Sequence, residues 1–319
     1  MTIPAMRKLR TVEQGATIGV VASGSPVEPT RFAQGRRALE ERGYKLEIPY
    51  DPCKHYASNE FFANGSRLER IEALMSLVRN KDVAAIFTAR GGYGTSDLLS
   101  MMDFEELAAS QKAIVGLSDV TVLLMALVSQ AKLYAVHGPA FATSIAQSAI
   151  SGNAEDLRSV DSLFSLLSDA DYLPEYQCQE IRSSQGEGPL IGGNLSMLTT
   201  LIGTPWDMSY NGAILVLEEV GDAPFRIHRC LSHLKYAGKL DNLAGLVFGR
   251  FSRCEAQHGP GVDQVIENIV EQHLKDSKFP ILKGFSFGHW GENQALALGC
   301  RARIENELLK VIESPLQIA

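Results

Sequence analysis

Cysteine is scarce in this chain and never grouped. Cys53, Cys178, Cys230, Cys254 and Cys300 are scattered, odd in number and never in C-x-x-C spacing. Neither a disulfide framework nor a cysteine zinc site is expected, and the usage fits a reducing cytoplasm. Clustered His/Cys ligands and H-E-x-x-H spacing are missing as well. No apolar run approaches the ~18 residues of a membrane span. Met1 to Gly15 carries basic residues without an apolar core or a cleavage-site pattern, so no signal peptide is expected either. Lys/Arg runs are absent and the formal net charge is −7, which argues against a nucleic-acid-binding footprint. Low-complexity tracts and internal repeats are not visible.

What is present reads as an ordinary soluble globular chain, with 319 residues, 45% hydrophobic and 21% charged. At ~150 residues per domain this suggests two domains. Strand-like runs at Ala16 to Ala22, Tyr44 to Pro49, Val83 to Ala89, Ala113 to Leu117 and Leu133 to Phe141 alternate with helical periods. One such helix spans Arg67 to Arg79, with Leu68, Ile71, Met75 and Val78 on one face. Another is expected to begin at Thr95 and Asp97. Alternation of this kind predicts βαβ units and a Rossmann-like parallel sheet over residues 1–150. Ser148 to Asp171 is rich in Ser, Asp and Asn with one weak helix, so 151–175 is read as an interdomain linker. Residues 176–319 mix strand runs with helices at Phe225 to Tyr236 and Val262 to Leu274. They are expected to form an α+β domain with a curled, barrel-like sheet.

Ligands of parallel sheets bind beyond the carboxyl ends of the strands. Two such ends stand out. Arg90-Gly-Gly-Tyr-Gly94 follows a strand but matches neither the G-x-G-x-x-G nor the G-x-x-x-x-G-K-S/T fingerprint. Gly91-Gly92 is then either a tight turn or a source of backbone N–H donors for an anion. Ser118, in Gly116-Leu-Ser-Asp-Val120, sits between a strand end and a helix start, but the second glycine of G-x-S-x-G is missing. It is either a helix cap, with Asp119 as the other candidate cap, or a nucleophile beside free N–H groups.

A nucleophilic serine needs a base, and the base an orienting acid. His289, in the glycine-flanked loop Gly284-Phe-Ser-Phe-Gly-His-Trp-Gly291, is the best placed of seven histidines, with His137 as rival. His228, His233 and His273 fall on helices; His55 and His258 fall in polar loops. Glu218 closes the apolar run Ile214-Leu-Val-Leu217, where a carboxylate is costly unless paired. It competes with solvent exposure at the Glu218-Glu219 strand end.

Taken in order, these motifs resemble the LD-carboxypeptidase family of serine peptidases. That family includes muramoyltetrapeptide carboxypeptidases and microcin C immunity peptidases. The resemblance is carried by Arg90-Gly-Gly-Tyr-Gly94, Gly116-Leu-Ser-Asp119, Gly192-Gly-Asn-Leu195, Ile202-Gly-Thr-Pro-Trp206, Leu215-Val-Leu-Glu218, Pro224-Phe-Arg-Ile-His-Arg229 and Gly284-Phe-Ser-Phe-Gly-His289. It implies a triad of Ser118, Glu218 and His289 drawn from two domains, with an oxyanion hole from the N–H groups of Gly92 and Asp119. It implies release of a C-terminal D-alanine from murein tetrapeptides in wall recycling, no metal or other cofactor, and a homodimer. Arg90 is a candidate partner for the substrate's terminal carboxylate, and Asn194 and Trp206 are candidate cleft residues. Two other functions are weighed: an immunity-type peptidase cleaving an aminoacyl-nucleotide antibiotic, and a non-catalytic two-domain protein binding a small ligand.

Overall fold

The computed structural model describes residues 6–54, 62–256, 258–289 and 291–317. The chain falls into two compact units. The N-terminal unit takes residues 6–172, 291–298 and 314–317, and the C-terminal unit takes 173–289 and 299–313.

The N-terminal unit runs β1 (Thr17–Val21), α1 (Pro29–Glu41), β2 (Lys45–Glu47), α2 (Arg67–Arg79), β3 (Val83–Thr88), α3 (Phe104–Ser110), β4 (Ala113–Gly116), α4 (Thr121–Ala126), β5 (Ala135–His137), α5 (Ala146–Ser151) and α6 (Ala154–Ser168). Strands β5, β4, β3, β1 and β2 form a parallel sheet in that order, the Rossmann-like arrangement expected. Both faces are covered. Gly19 of β1 lies against Leu77 of α2, and Phe87 of β3, which points the opposite way, meets Phe164 of α6 with ring centroids 6.1 Å apart.

That second contact corrects the expected linker. Residues 154–168 form a helix capped by Asn153, whose side chain accepts the N–H of Asp156. Val160, Leu163, Phe164 and Leu167 are buried, each such side chain contributing about 1.5–3 kcal/mol. The Ser and Asp residues interspersed along α6, of which Asp156 and Ser159 are buried with the apolar side chains, mask this inward stripe in the sequence. The helix expected from Thr95 is a 3-10 turn at Ser96–Met101, followed by α3 with Asp103 as its cap.

The C-terminal unit contains β6 (Glu175–Gln177), β7 (Gln179–Arg182), β8 (Gly186–Asn194), α7 (Leu195–Leu201), β9 (Ile214–Val220), α8 (Pro224–Tyr236), β10 (Gly245–Ser252), α9 (Val262–His273) and β11 (Ile281–Lys283). After β12 (Leu296–Leu298), which joins the N-terminal sheet antiparallel to β5, come β13 (Arg301–Glu305) and β14 (Leu308–Val311). The run Ala295 to Glu305, strand-like throughout in sequence, therefore serves two sheets.

Eight strands pair in the order β6-β14-β13-β8-β9-β10-β11-β7. One continuous stretch, 175–182, supplies β6 at one edge and β7 at the other, so the sheet curls toward closure and both edges are occupied. Strand β8 is the longest of this sheet, although its sequence, Gly-Glu-Gly-Pro-Leu-Ile-Gly-Gly-Asn, disfavours strand on composition. Close backbone approach explains it: a Cβ at Gly186 would lie 1.8 Å from the carbonyl oxygen of Ala244.

Candidate active site

In the N-terminal unit the site is built on the ends of β1, β3 and β4. Strand β4 enters extended through Leu117 (φ −153°, ψ 176°), and the chain then reverses at Ser118 with φ +66°. A serine in the left-handed region is strained and persists only where its surroundings hold it. The turn is the strand–turn–helix shape of a nucleophile elbow, reached without the second glycine. Gly116, two residues earlier, leaves room for Val120, since a Cβ there would fall 2.6 Å from Val120 Cγ1.

Neither Ser118 nor Asp119 acts as the expected cap, and no side chain caps this helix start. Asp119 is buried and its Oδ2 instead accepts the backbone N–H of Thr95 at 2.9 Å. The glycine loop meets the same turn. A Cβ at Gly91 would lie 2.6 Å from Ser118 Cβ and 3.1 Å from the Asp119 nitrogen. Gly92 has φ +104° and packs on Ser25, whose Oγ accepts the N–H of Tyr93 at 3.1 Å. Ser118, Gly92 and Asp119 are thus brought together within one unit. Arg90, beside them in sequence, is exposed, with Nη1 donating to the Pro26 carbonyl at 3.4 Å.

In the C-terminal unit β9 carries Glu218 at 0% exposure, and its Oε2 lies 2.6 Å from Nδ1 of His289. The imidazole side chain is 15% exposed. With the carboxylate ionised, Nδ1–H donates to Glu218 and Nε2 is left as the basic nitrogen. Gly288 (φ +140°) permits the approach, because a Cβ there would stand 3.2 Å from Glu218 Oε2. Burial on its own disfavours the imidazolium. The charge and hydrogen bond of Glu218, with Glu219 adding to them, outweigh it and raise His289 above its ordinary value.

Glu219 turns to the opposite side of the strand. Its Oε1 accepts from Asn194 Nδ2 and from the N–H of Val220, and its Oε2 accepts from the N–H of Ser196. Burial pushes its carboxyl upward against these hydrogen bonds. Asn194 is buried here as the cap of α7, its Oδ1 accepting from Ser196 Oγ and the Met197 N–H. Those bonds give it a structural role at this corner. Trp206 is half-buried, its N–H donating to Thr204 Oγ1.

His137, the rival base, is fully buried on β5 in the N-terminal unit. His228 and His233 lie on α8, and His273 at the end of α9. His258 follows a residue outside the described set, and His55 lies outside it. Among the described residues no group of three or more His, Cys, Asp or Glu is placed to hold a metal ion, and no helix is long and apolar enough to cross a membrane.

Residues 18–138 match the LD-carboxypeptidase N-terminal domain, and residues 187–304 match the LD-carboxypeptidase C-terminal domain. A Bacillus subtilis protein named probable murein peptide carboxypeptidase is 30% identical over 310 residues, covering 96% of this chain and 94% of that protein. The chain belongs to the LD-carboxypeptidase family. The Escherichia coli microcin C7 self-immunity protein MccF is 26% identical, over 91% of each chain. A solved muramoyltetrapeptide carboxypeptidase from Oxalobacter formigenes superposes with a TM-score of 0.81 at 27% identity, covering 93% of this chain and 98% of that one. By family it is a peptidase of the carboxypeptidase type, and murein peptide carboxypeptidases are among its relatives.

Proposed function

We propose that this protein is a serine-type LD-carboxypeptidase that releases the C-terminal D-alanine of murein tetrapeptides. Ser118 Oγ attacks the carbonyl carbon of the bond to D-alanine while His289 Nε2 takes its proton. Glu218 holds the imidazole in the tautomer with Nδ1–H and stabilises the imidazolium that forms. The developing oxyanion receives the N–H groups of Gly92 and Asp119, each contributing about 3 kcal/mol to the transition state. The imidazolium then protonates the leaving amine, and the same nitrogen activates water to release the acyl group from Ser118.

The observation that carries this reading is the left-handed backbone of Ser118 with Gly91 packed directly on it. A helix cap has no need of that strain, whereas a nucleophile presented to substrate does. The Glu218–His289 pair supports it, since a 2.6 Å contact to a fully buried carboxylate fixes the ring as a general base requires. Arg90, exposed on the glycine loop, is assigned the terminal carboxylate of the substrate, and Trp206 a place along the peptide. A cytoplasmic homodimer serving wall-peptide recycling completes the proposal.

The test is Ser118→Ala on a defined tetrapeptide muropeptide. D-alanine release is expected to fall at least ~10³-fold in a protein of unchanged fold, and unaltered turnover would refute the mechanism. A second reading is favoured by the MccF relative: cleavage of an aminoacyl-nucleotide by the same residues. Parallel assays of a tetrapeptide and an aminoacyl sulfamoyl nucleotide decide between them, the better kcat/KM naming the substrate.

A further inference from the structure

Helix α2 breaks its own pattern. Leu68, expected on the buried face, is 56% exposed, while Arg70 two positions on is 0% exposed. Burying a guanidinium costs more free energy than burying a hydrocarbon of similar volume, so stability alone does not explain an arginine here. Its contacts do. Nη1 donates to the carbonyl of Ser23 at 2.6 Å and to the carbonyl of Gly94 at 2.7 Å. Ser23 opens the loop after β1, and Gly94 closes the glycine loop after β3. A Cβ on Gly94, whose φ is +116°, would reach to 3.0 Å from the same nitrogen, so glycine is what lets the guanidinium in.

From these two carbonyls the contacts continue to the serine. Ser23 Oγ and Thr95 Oγ1 are 3.1 Å apart, both fully buried. The Thr95 N–H donates to Asp119 Oδ2, and Asp119 directly follows Ser118. In parallel, Ser25 N–H donates to the Gly91 carbonyl at 3.3 Å and Ser25 Oγ accepts from Tyr93. Three chain reversals that share no secondary structure are held to one another in this way, and one side chain donates to two of them.

We propose that Arg70 is a positioning residue for the reaction: by holding Ser23 and Gly94 it sets the glycine loop against the Ser118 turn and so aims the oxyanion donors. This rests on the serine mechanism proposed above. A strained serine requires surroundings that over-determine it, and preorganised donors act only if they do not have to move as charge develops. Arg70 touches neither substrate nor reacting atoms. Its effect is therefore on kcat through geometry.

The experiment compares wild type, Arg70→Lys and Arg70→Met by hydrogen–deuterium exchange and by tetrapeptide kinetics, with Ser118→Ala as control. Arg70→Met is expected to speed exchange in residues 89–96 about tenfold or more, with β3 itself nearly unchanged. Its kcat should drop roughly 10²-fold with KM within about threefold, the size of losing one oxyanion donor. Arg70→Lys keeps a charge but not the planar fork, so it should recover about a tenth to a half of the kcat. If Arg70→Met does not fold, the lysine variant carries the test: both loosened exchange over 89–96 and reduced kcat are required of it. Unchanged exchange overturns the clamp. Loosened exchange with wild-type kcat overturns its role in the reaction. If Ser118→Ala still turns over, the serine mechanism fails, and exchange over 89–96 then decides by itself whether Arg70 clamps the loop.

Discussion

Glu218 and Glu219 are adjacent, both acidic and both buried, yet their surroundings require opposite outcomes from the same Glu→Gln exchange. Glu218→Gln removes the charge 2.6 Å from His289 Nδ1. A charge-assisted hydrogen bond contributes about 1.5–3 kcal/mol against about 1 for a neutral one, so imidazolium stabilisation accounts for roughly half a decade to one and a half decades of rate. Glutamine can also turn its amide NH2 toward Nδ1, which forces the ring proton onto Nε2 and blocks the base. Together these predict a loss in kcat/KM of roughly 10²–10⁴, or about 3–5 kcal/mol. The pH profile should move as well. His289 is held above its ordinary value by Glu218 against burial, so removing the carboxylate leaves burial in control and shifts the acidic limb of kcat/KM to lower pH. Stability follows the same linkage. With the folded-state value raised, the wild-type pair stabilises fully below the unfolded histidine value of about 6.5, and that contribution is lost as pH rises through the folded-state value. Glu219→Gln should do none of this. It leaves one oxygen for three donors that Glu219 now satisfies, so it should lower stability by about 1–3 kcal/mol while the folded enzyme keeps most of its kcat. Steady-state kinetics from pH 5 to 9, with urea melts of both variants, read out every part. A dead Glu219→Gln beside an active Glu218→Gln would refute the reasoning.

Two further perturbations address the serine turn. Ser118→Gly and Ser118→Ala should both be inactive, but the glycine variant should be more stable than the alanine variant by about 1 kcal/mol, since only alanine retains the strain of φ +66°; equal melting temperatures would show that the turn is not strained. Gly91→Ala places a methyl 2.6 Å from Ser118 Cβ and should reduce kcat by about 10²-fold or more through displaced oxyanion donors, and wild-type kinetics would break the link between the glycine loop and the serine.

Local chemistry carries much of the fold into view. Period-2 and period-3.6 patterns place β1, β3, β4, α8 and α9 within a few residues, and the order of glycine-flanked motifs points to the family. Where those patterns mislead, a partner distant in sequence is responsible. Helix α6 reads as a linker because its stripe of Val160, Leu163, Phe164 and Leu167 has meaning only against segments distant in sequence, such as Tyr44 and Phe87 against Phe164. Strand β8 escapes a compositional reading because its glycines answer to backbone oxygens on other segments, such as Ala244.

At the site the division is the same. Residue types and spacing mark Ser118 beside Asp119, the Gly91-Gly92 pair, Glu218 and His289 as chemically equipped. They leave open whether Ser118 is a cap, whether Glu218 or Glu219 meets the histidine, and whether that histidine is His289 or His137. The tertiary structure decides that Ser118 sits in the left-handed region, that Asp119 turns to Thr95 instead of capping, and that Glu218 meets His289 while Glu219 serves Asn194 and Ser196. It alone reveals Arg70, because an arginine on an amphipathic helix is expected to face water. The carbonyls of Ser23 and Gly94, 47 and 24 residues away along the chain, accept from its Nη1 and offset the cost of its burial. Backbone preference and apolar periodicity act between neighbours in sequence. Strain, pairing and the burial of charge depend on what the fold brings into contact.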